Sequence, residues 1–245
     1  MNARGFYGGI LILCGLVSLG CNHMGKPPVE AEATRPDQVK NFDKLYSANC
    51  SGCHGADGKG GASIALSNPV YLAVADDSVL RSVTAGGVHG AAMPAFAQSK
   101  GGSLTDKQID VIVGGIRAWA RPDAQRDASL PPYSSATPGD ANRGADVYKT
   151  FCSSCHGVNG QGTKAGSSII DGSYLALVSD QYLRTIVIAG RPELGAPDWR
   201  SDVPGRPMAA QEIADVVVWL VAQRSPYPGQ PYATPQERKQ EEASK

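Results

Sequence analysis

The sequence predicts an all-α protein made of two similar halves in tandem. Apolar residues recur at helical spacing (i, i+3, i+4, i+7) in residues 109–116 and again in residues 213–220. A five-residue motif also occurs twice, at residues 50–54 and 152–156, each time after a short run of helical character. No alternating apolar run is long enough to predict a β-strand. This internal repeat indicates a duplicated helical unit.

The first element is a predicted targeting segment. Arg4 precedes a mostly apolar stretch at residues 8–19, which suits a signal-peptide core but is shorter than the roughly 20 residues of a membrane-spanning helix. The stretch ends in S-L-G-C at residues 18–21, which resembles a bacterial lipobox, although Ser18 stands where Leu is usual. The resemblance implies export and a lipid on Cys21 that holds the protein at the periplasmic side of a bacterial membrane. An ordinary cleaved signal peptide and a short uncleaved anchor are the alternatives.

Proline-rich stretches separate the remaining elements. They precede the first half, lie between the two halves and follow the second half, and such composition is typical of linkers. The predicted organisation is a signal peptide with lipobox at 1–21, a flexible tether at 22–36, a first domain at 37–121, a linker at 122–139, a second domain at 140–224, and a proline-rich, then charged tail at 225–245.

The composition indicates domains with little apolar bulk. The chain of 245 residues contains 29 Gly and 17 Pro, and only 7% of its residues are aromatic. Two small domains of this kind gain stability from a large buried cofactor. Lysine plus arginine equals aspartate plus glutamate at 23 each, so no overall charge points to nucleic acid as a partner.

The repeated motif carries the chemistry. It reads C-S-G-C-H at residues 50–54 and C-S-S-C-H at residues 152–156. C-x-x-C-H is the attachment motif of c-type haem: the two thiols bond the two vinyl groups of one porphyrin, and the histidine binds its iron. A redox dithiol or a zinc site also uses C-x-x-C, but neither requires a histidine at this place in both copies. The sequence thus predicts two covalent haems, attached at Cys50, Cys53, Cys152 and Cys155, with His54 and His156 as iron ligands.

Both halves resemble class I c-type cytochrome domains, and the chain as a whole resembles the di-haem cytochromes c of bacterial respiratory chains. The resemblance extends over about residues 37–224 and rests on the two motifs and on the helix that closes each half. It implies two tandem cytochrome c-like domains. Each would be a small set of helices wrapped around one haem, with its first and last helices crossing.

The resemblance also implies a second iron ligand in the first half. The loop G-A-A-M-P-A-F at residues 90–96 is similar to the Met-Pro-x-Phe loop that supplies the distal methionine. Met93 is therefore the predicted distal ligand of the first haem. His89 in the same loop is the alternative ligand, and simple packing is the alternative role of Met93.

The second half departs from this pattern. Residues 195–199 read G-A-P-D-W, which puts Ala196 where the first half has Met93, and alanine cannot bind iron. Met208 is the nearby sulfur and the predicted ligand, carried there by a longer loop. Met208 also aligns with Leu104, which is typical of a packing residue at the start of a helix. An open or water-ligated iron, or another ligand, remains the alternative.

Two arginines occupy equivalent places in the repeat. Arg81 and Arg184 each follow a leucine in corresponding stretches. A guanidinium suits a carboxylate, so both arginines are candidates to pair with haem propionates. Exposure to solvent on a helix surface is the alternative.

The resemblance implies electron transfer rather than catalysis. The chain would carry single electrons in a respiratory chain, between partners such as a quinol-oxidising complex, a terminal oxidase or another cytochrome. A peroxidase-like haem enzyme and a gas-binding or docking subunit are the alternatives, because an open iron in the second half would bind peroxide or a small gas.

Overall fold

The computed structural model describes residues 34–121, 127–201 and 203–225. The predicted signal peptide, Cys21, most of the tether, part of the linker and nearly all of the tail lie outside the described residues. The residues from Pro36 onward form one unit, and this unit alone is treated below.

The described residues form ten α-helices and no β-strand, which confirms the predicted all-α class. Each half contributes five helices in the same order, together with short 3-10 turns. The first half has α1 (Phe42–Asn49), α2 (Ser51–His54), α3 (Pro69–Val74), α4 (Asp77–Gly86) and α5 (Asp106–Arg117). The second half has α6 (Ala141–Phe151), α7 (Ser153–His156), α8 (Gly172–Leu177), α9 (Asp180–Ala189) and α10 (Ala210–Val221).

Side-chain caps fix the start of most of these helices. A polar residue before the first turn accepts a hydrogen bond from a backbone N–H that has no partner within the helix. Thr105 forms a capping box with Gln108 at the start of α5. Ala209 precedes α10 and has no side chain that can cap the helix. Its backbone N–H donates to the Glu212 carboxylate at 2.9 Å. The capping side chains are Asn41, Asn68, Asp76, Thr105, Asp140, Asp171 and Ser179.

The first long helix of each half packs against the last, as the resemblance implies. These contacts join α1 to α5 and α6 to α10. An aromatic pair marks each junction: Tyr46 meets Trp119 edge-on at 5.2 Å between ring centroids, and Tyr148 stacks on Trp219 at 4.2 Å. Such contacts add about 1 kcal/mol each beyond the burial of the rings. The closing helices thus hold the segments that carry the two motifs.

A buried carboxylate strengthens the junction in the second half. Asp215 of α10 is only 2% exposed and accepts two hydrogen bonds from Arg143 of α6, at 2.8 and 2.9 Å. The backbone N–H of Asp140 and the amide of Gln211 also donate to it. The bond from Arg143 is the largest of the influences that lower the pKa of Asp215 below its ordinary value of 3.8.

We expect Asp215→Asn to lower the free energy of unfolding of the haem-loaded protein by about 2 kcal/mol at neutral pH, because hydrogen bonds to a charged group are lost. A depressed pKa in the folded state stabilises the protein above the unfolded pKa of about 3.9. The difference between wild type and variant should therefore shrink as the pH falls below about 4. Urea unfolding at several pH values measures both effects.

Asp146→Asn is the matched control. Asp146 lies on the same helix as Arg143, but its side chain is 79% exposed and pairs only at the surface, with Lys149. No measurable loss of stability is expected for it. Equal losses in the two variants would contradict a special role for Asp215.

The two halves share buried contacts. Helix α3 of the first half packs against α9 of the second, and the buried amide of Asn68 donates to the carbonyl of Ala189 at 2.9 Å. The backbone N–H of Ala92 donates to the carbonyl of Leu177 at 3.0 Å. Apolar residues from both halves belong to one contiguous core, and a smaller cluster lies within the second half. The described helices include none that is both long and apolar enough to cross a membrane.

Candidate haem sites

In the first half, the motif lies where α1 gives way to α2. Cys50 ends α1 and is 7% exposed, whereas Cys53 within α2 is exposed. The hydroxyl of Tyr46 donates to the carbonyl of Gly55 at 2.9 Å and so closes the turn that contains the motif. Burial, and secondarily the neighbouring Cys53, raises the pKa of the Cys50 thiol to about 11. At neutral pH this thiol is therefore protonated.

The second half repeats the arrangement. Cys152 ends α6, the motif continues through α7, and the hydroxyl of Tyr148 donates to the carbonyl of Gly157. Burial, and then the neighbouring Cys155, raises the pKa of Cys152 to about 11. No disulfide joins any of the four described cysteines, and each pair lies on one short turn, as attachment to one porphyrin requires.

Each motif histidine is oriented by a backbone carbonyl. Nδ1 of His54 lies 2.8 Å from the carbonyl oxygen of Ile64, and Nδ1 of His156 lies 2.7 Å from that of Ser167. A carbonyl can only accept, so Nδ1 carries the proton in both rings, and the lone pair of Nε2 is left to bind a metal. Burial lowers the pKa of His54, and the charge of Arg191 acts in the same direction, which favours the neutral, metal-binding imidazole.

The predicted distal loop of the first half crosses the end of α4. Gly87 ends that helix with φ of 66°, and a Cβ on it would lie 2.6 Å from the backbone of Pro94. The N–H of Val88 donates to the carbonyl of Met93 at 2.9 Å. Met93 is partly buried, whereas His89, the alternative ligand, is exposed. Met93 as a ligand stays a prediction.

The corresponding loop of the second half crosses the end of α9 in the same way. A Cβ on Gly190 would lie 2.3 Å from the carbonyl oxygen of Pro197. Arg191 and Ala196 exchange two backbone hydrogen bonds of 3.0 Å across this loop. The N–H of Met208 donates to the carbonyl of Trp199 at 2.8 Å, and the equivalent bond in the first half comes from Leu104. Met208 as a ligand stays a prediction as well.

A cavity of about 580 Å³ lies inside the second half. The motif residues and the loop of residues 195–197 both line it, and so does Met208, which is 7% exposed. Its volume lies within the roughly 300–1,000 Å³ typical of ligand and cofactor pockets. Thiols, an imidazole and mostly apolar side chains around one space form a donor set that fits a haem. The wall of the cavity on α9 consists of Tyr182, Leu183, Ile186 and Val187.

The two repeated arginines have other partners. Arg81 pairs with Asp106 and Asp110 of α5. Arg184 is 4% exposed and donates to the carbonyls of Pro132 and Tyr133 in the linker at 2.8 and 3.0 Å, while its Nη1 has no hydrogen-bond partner. In the described structure these arginines therefore tie helices and linker together rather than line the cavity.

Arg191 is the cavity residue that sequence analysis missed. It lines the cavity of the second half at the position that Val88 occupies in the first. The signal in the sequence is a charged residue at a position where the other half has an apolar residue. Over residues 34–121, 127–201 and 203–225, no three His, Cys, Asp or Glu side chains form a group that could hold a metal ion.

Comparison with known proteins gives consistent results. The family described as cytochrome c oxidase, cbb3-type, subunit III matches residues 37–114 and 139–220. The cytochrome bc1 complex cytochrome c subunit of Mycobacterium bovis is 25% identical over 237 residues, which is 92% of this chain and 80% of the relative. The subunit of the same name from Mycobacterium leprae is 26% identical over 192 residues, which is 74% of this chain and 64% of the relative.

Among solved structures, a chain of the reducing HAO-like protein complex of Kuenenia stuttgartiensis aligns with a TM-score of 0.46 and 15% identity, over 76% of this chain and 99% of the other.

The two segments that match the family cover more than half of the chain, and each contains one C-x-x-C-H motif. The chain therefore belongs to the cytochrome c family described as subunit III of cbb3-type cytochrome c oxidase.

Proposed function

We propose that the chain is a di-haem electron carrier, held by a lipid on Cys21 at the periplasmic side of a bacterial membrane. The observation that carries the proposal is the duplicated motif, which has the same turn, the same tyrosine contact and the same histidine–carbonyl bond in both halves. Bound haem supplies an iron that takes up and releases one electron. The protein residues attach it and orient its histidine ligand.

The proposed partners are a quinol-oxidising complex on one side and a terminal oxidase or another cytochrome on the other. Two relatives are named as cytochrome c subunits of a cytochrome bc1 complex, and the matching family is named after an oxidase subunit. These names support a place in a respiratory chain and a stable association with a larger complex. They favour a carrier over an enzyme.

One observation favours a second candidate function. Ala196 occupies the position equivalent to Met93 and lines the cavity of the second half. If Met208 does not bind the iron, the open position would suit a peroxidase-like reaction or the binding of a small gas. Whether the second half transfers electrons or binds a small molecule depends on whether that iron has a distal protein ligand.

The experiment is spectroscopy of the protein produced in a bacterium that attaches haem c. We expect two haems per chain, two one-electron steps in a redox titration, and no spectral change when carbon monoxide is added to the reduced protein. A single haem, or thiols that are joined to each other or to zinc, would refute the proposal. A carbon monoxide-reactive haem would favour the second candidate, and mass analysis of the mature N-terminus tests the lipid on Cys21.

A further inference from the structure

Arg191 contacts both halves of the molecule. Its Nη2 donates to the carbonyl of Gly61 in the first half at 2.8 Å, although the two residues are 130 positions apart in sequence. The backbone of Gly61 lies directly against the first motif, since a Cβ there would be 2.2 Å from the carbonyl oxygen of Cys53 and 2.7 Å from the backbone of His54. The guanidinium therefore holds the loop that follows the iron-binding histidine.

The same residue forms part of the wall of the second cavity. Ala62, the neighbour of Gly61, lines that cavity too, so the loop of the first half and the arginine of the second meet at its edge. The backbone of Arg191 is fixed by its paired bonds to Ala196. Its side chain is only 11% exposed, so its charge is weakly screened by solvent.

Glu193 is the carboxylate that pairs with Arg191 among the described residues. Nε lies 2.5 Å from Oε1 of Glu193, whose side chain is 20% exposed. Arg191 also opposes the effect of burial on the pKa values of Tyr174 and Tyr182, two other residues of the cavity wall. Its positive field therefore reaches the cavity despite the carboxylate beside it.

We propose that Arg191 is a positioning residue that couples the two haem sites: it holds the loop of the first motif and places a positive charge in the wall of the second cavity. The inference rests on the proposed function, because it requires a haem in both halves. A cation near the cavity stabilises the ferrous state, which carries one positive charge less than the ferric state. Because the guanidinium also bonds the loop beside the first motif, the charge of Arg191 would favour the ferrous state of both haems.

The test is a redox titration of haem-loaded variants in which the two haems are followed separately. The haem whose spectrum changes in Met93→Leu is assigned as the first. Arg191→Gln should lower the reduced-to-oxidised ratio of the second haem at least tenfold at fixed potential, which is about 59 mV for one electron. The potential of the first haem should shift in the same direction, because Arg191 also contacts the loop beside the first motif. Glu193→Gln should shift the second haem in the opposite direction, and this variant keeps the experiment decisive if Arg191→Gln folds poorly.

Two further variants separate charge from structure. Arg191→Lys retains the charge and should keep the ratio within about threefold of wild type, which is under 30 mV on the one-electron scale. Lys149→Gln removes an exposed cation from the same half and should change nothing. Hydrogen exchange of the Ser63 amide reports on the contact between Arg191 and Gly61. This amide donates to the carbonyl of Cys53, and it should exchange faster with solvent in Arg191→Gln.

Unchanged potentials in both Arg191→Gln and Glu193→Gln would overturn the inference. Unchanged exchange at Ser63 would overturn the coupling of the two sites. In each of these cases a wild-type protein with two haems leaves the proposed function standing. A wild-type protein without the second haem would refute the proposed function itself.

Discussion

Replacing Cys152 and Cys155 with alanine is expected to halve the haem content, from two haems per chain to one. Each cysteine pair lies on a single turn and is separate from the other pair, so the loss of one pair leaves the other able to attach its porphyrin. The cavity of about 580 Å³ would then have no covalent occupant. Intact-protein mass spectrometry, together with the absorbance of the haem extracted in alkaline pyridine, counts the haems.

The reciprocal variant, Cys50→Ala with Cys53→Ala, should also retain one haem. The matched control is Ser154→Ala, which changes a position that differs between the two motifs and should keep both haems. Two haems in either double-cysteine variant would show that the motif residues are not the attachment points. Loss of both haems from one double variant, with the fold intact, would show that the halves do not load independently.

Met93→Leu should abolish the absorption band of the methionine–ferric iron bond in the first haem and lower its potential by on the order of 100 mV or more, because the axial ligand sets the potential. Leucine has nearly the volume of methionine, so packing changes little. The same two measurements on Met208→Leu test the second haem, and we expect the same loss there. His89→Gln is the control for the first loop and should leave the band intact.

The contrary outcome for Met208 has a definite structural meaning. Its backbone bond to Trp199 has the same place in the second half as the bond from Leu104 to Phe96 in the first. If Met208→Leu keeps the spectrum and the potential, Met208 packs as Leu104 does. Carbon monoxide would then bind the second iron in both the variant and the wild type if no other residue is its ligand.

Local pattern predicted much of the fold. The apolar spacing of residues 109–116 and 213–220 falls within α5 and α10. These features depend on neighbours within one or two helical turns, which the sequence displays directly. The all-α class and the duplication follow from the same local signals.

Contacts between distant segments could not be predicted in this way. The bond from Arg191 to Gly61 depends on how α9 packs against the first half, and no spacing in the sequence encodes that packing. Arg184 was a candidate for a haem propionate, but its partners are linker carbonyls that only the folded chain brings near. The candidate site residues on the two motif turns could be named from the sequence because haem attachment demands a fixed spacing along the chain, and their role stays a prediction.

In the proposed di-haem protein, the buried bond from the Asn68 amide to the carbonyl of Ala189 bears on the rate of electron transfer between the two haems. Tunnelling between two centres falls off exponentially with their separation, so a hinged pair would show a broad spread of internal rates. An anchor of this kind between α3 and α9 removes the hinge and leaves a single spacing. The proline-rich connection, which Arg184 itself binds at Pro132 and Tyr133, then does not have to set that spacing.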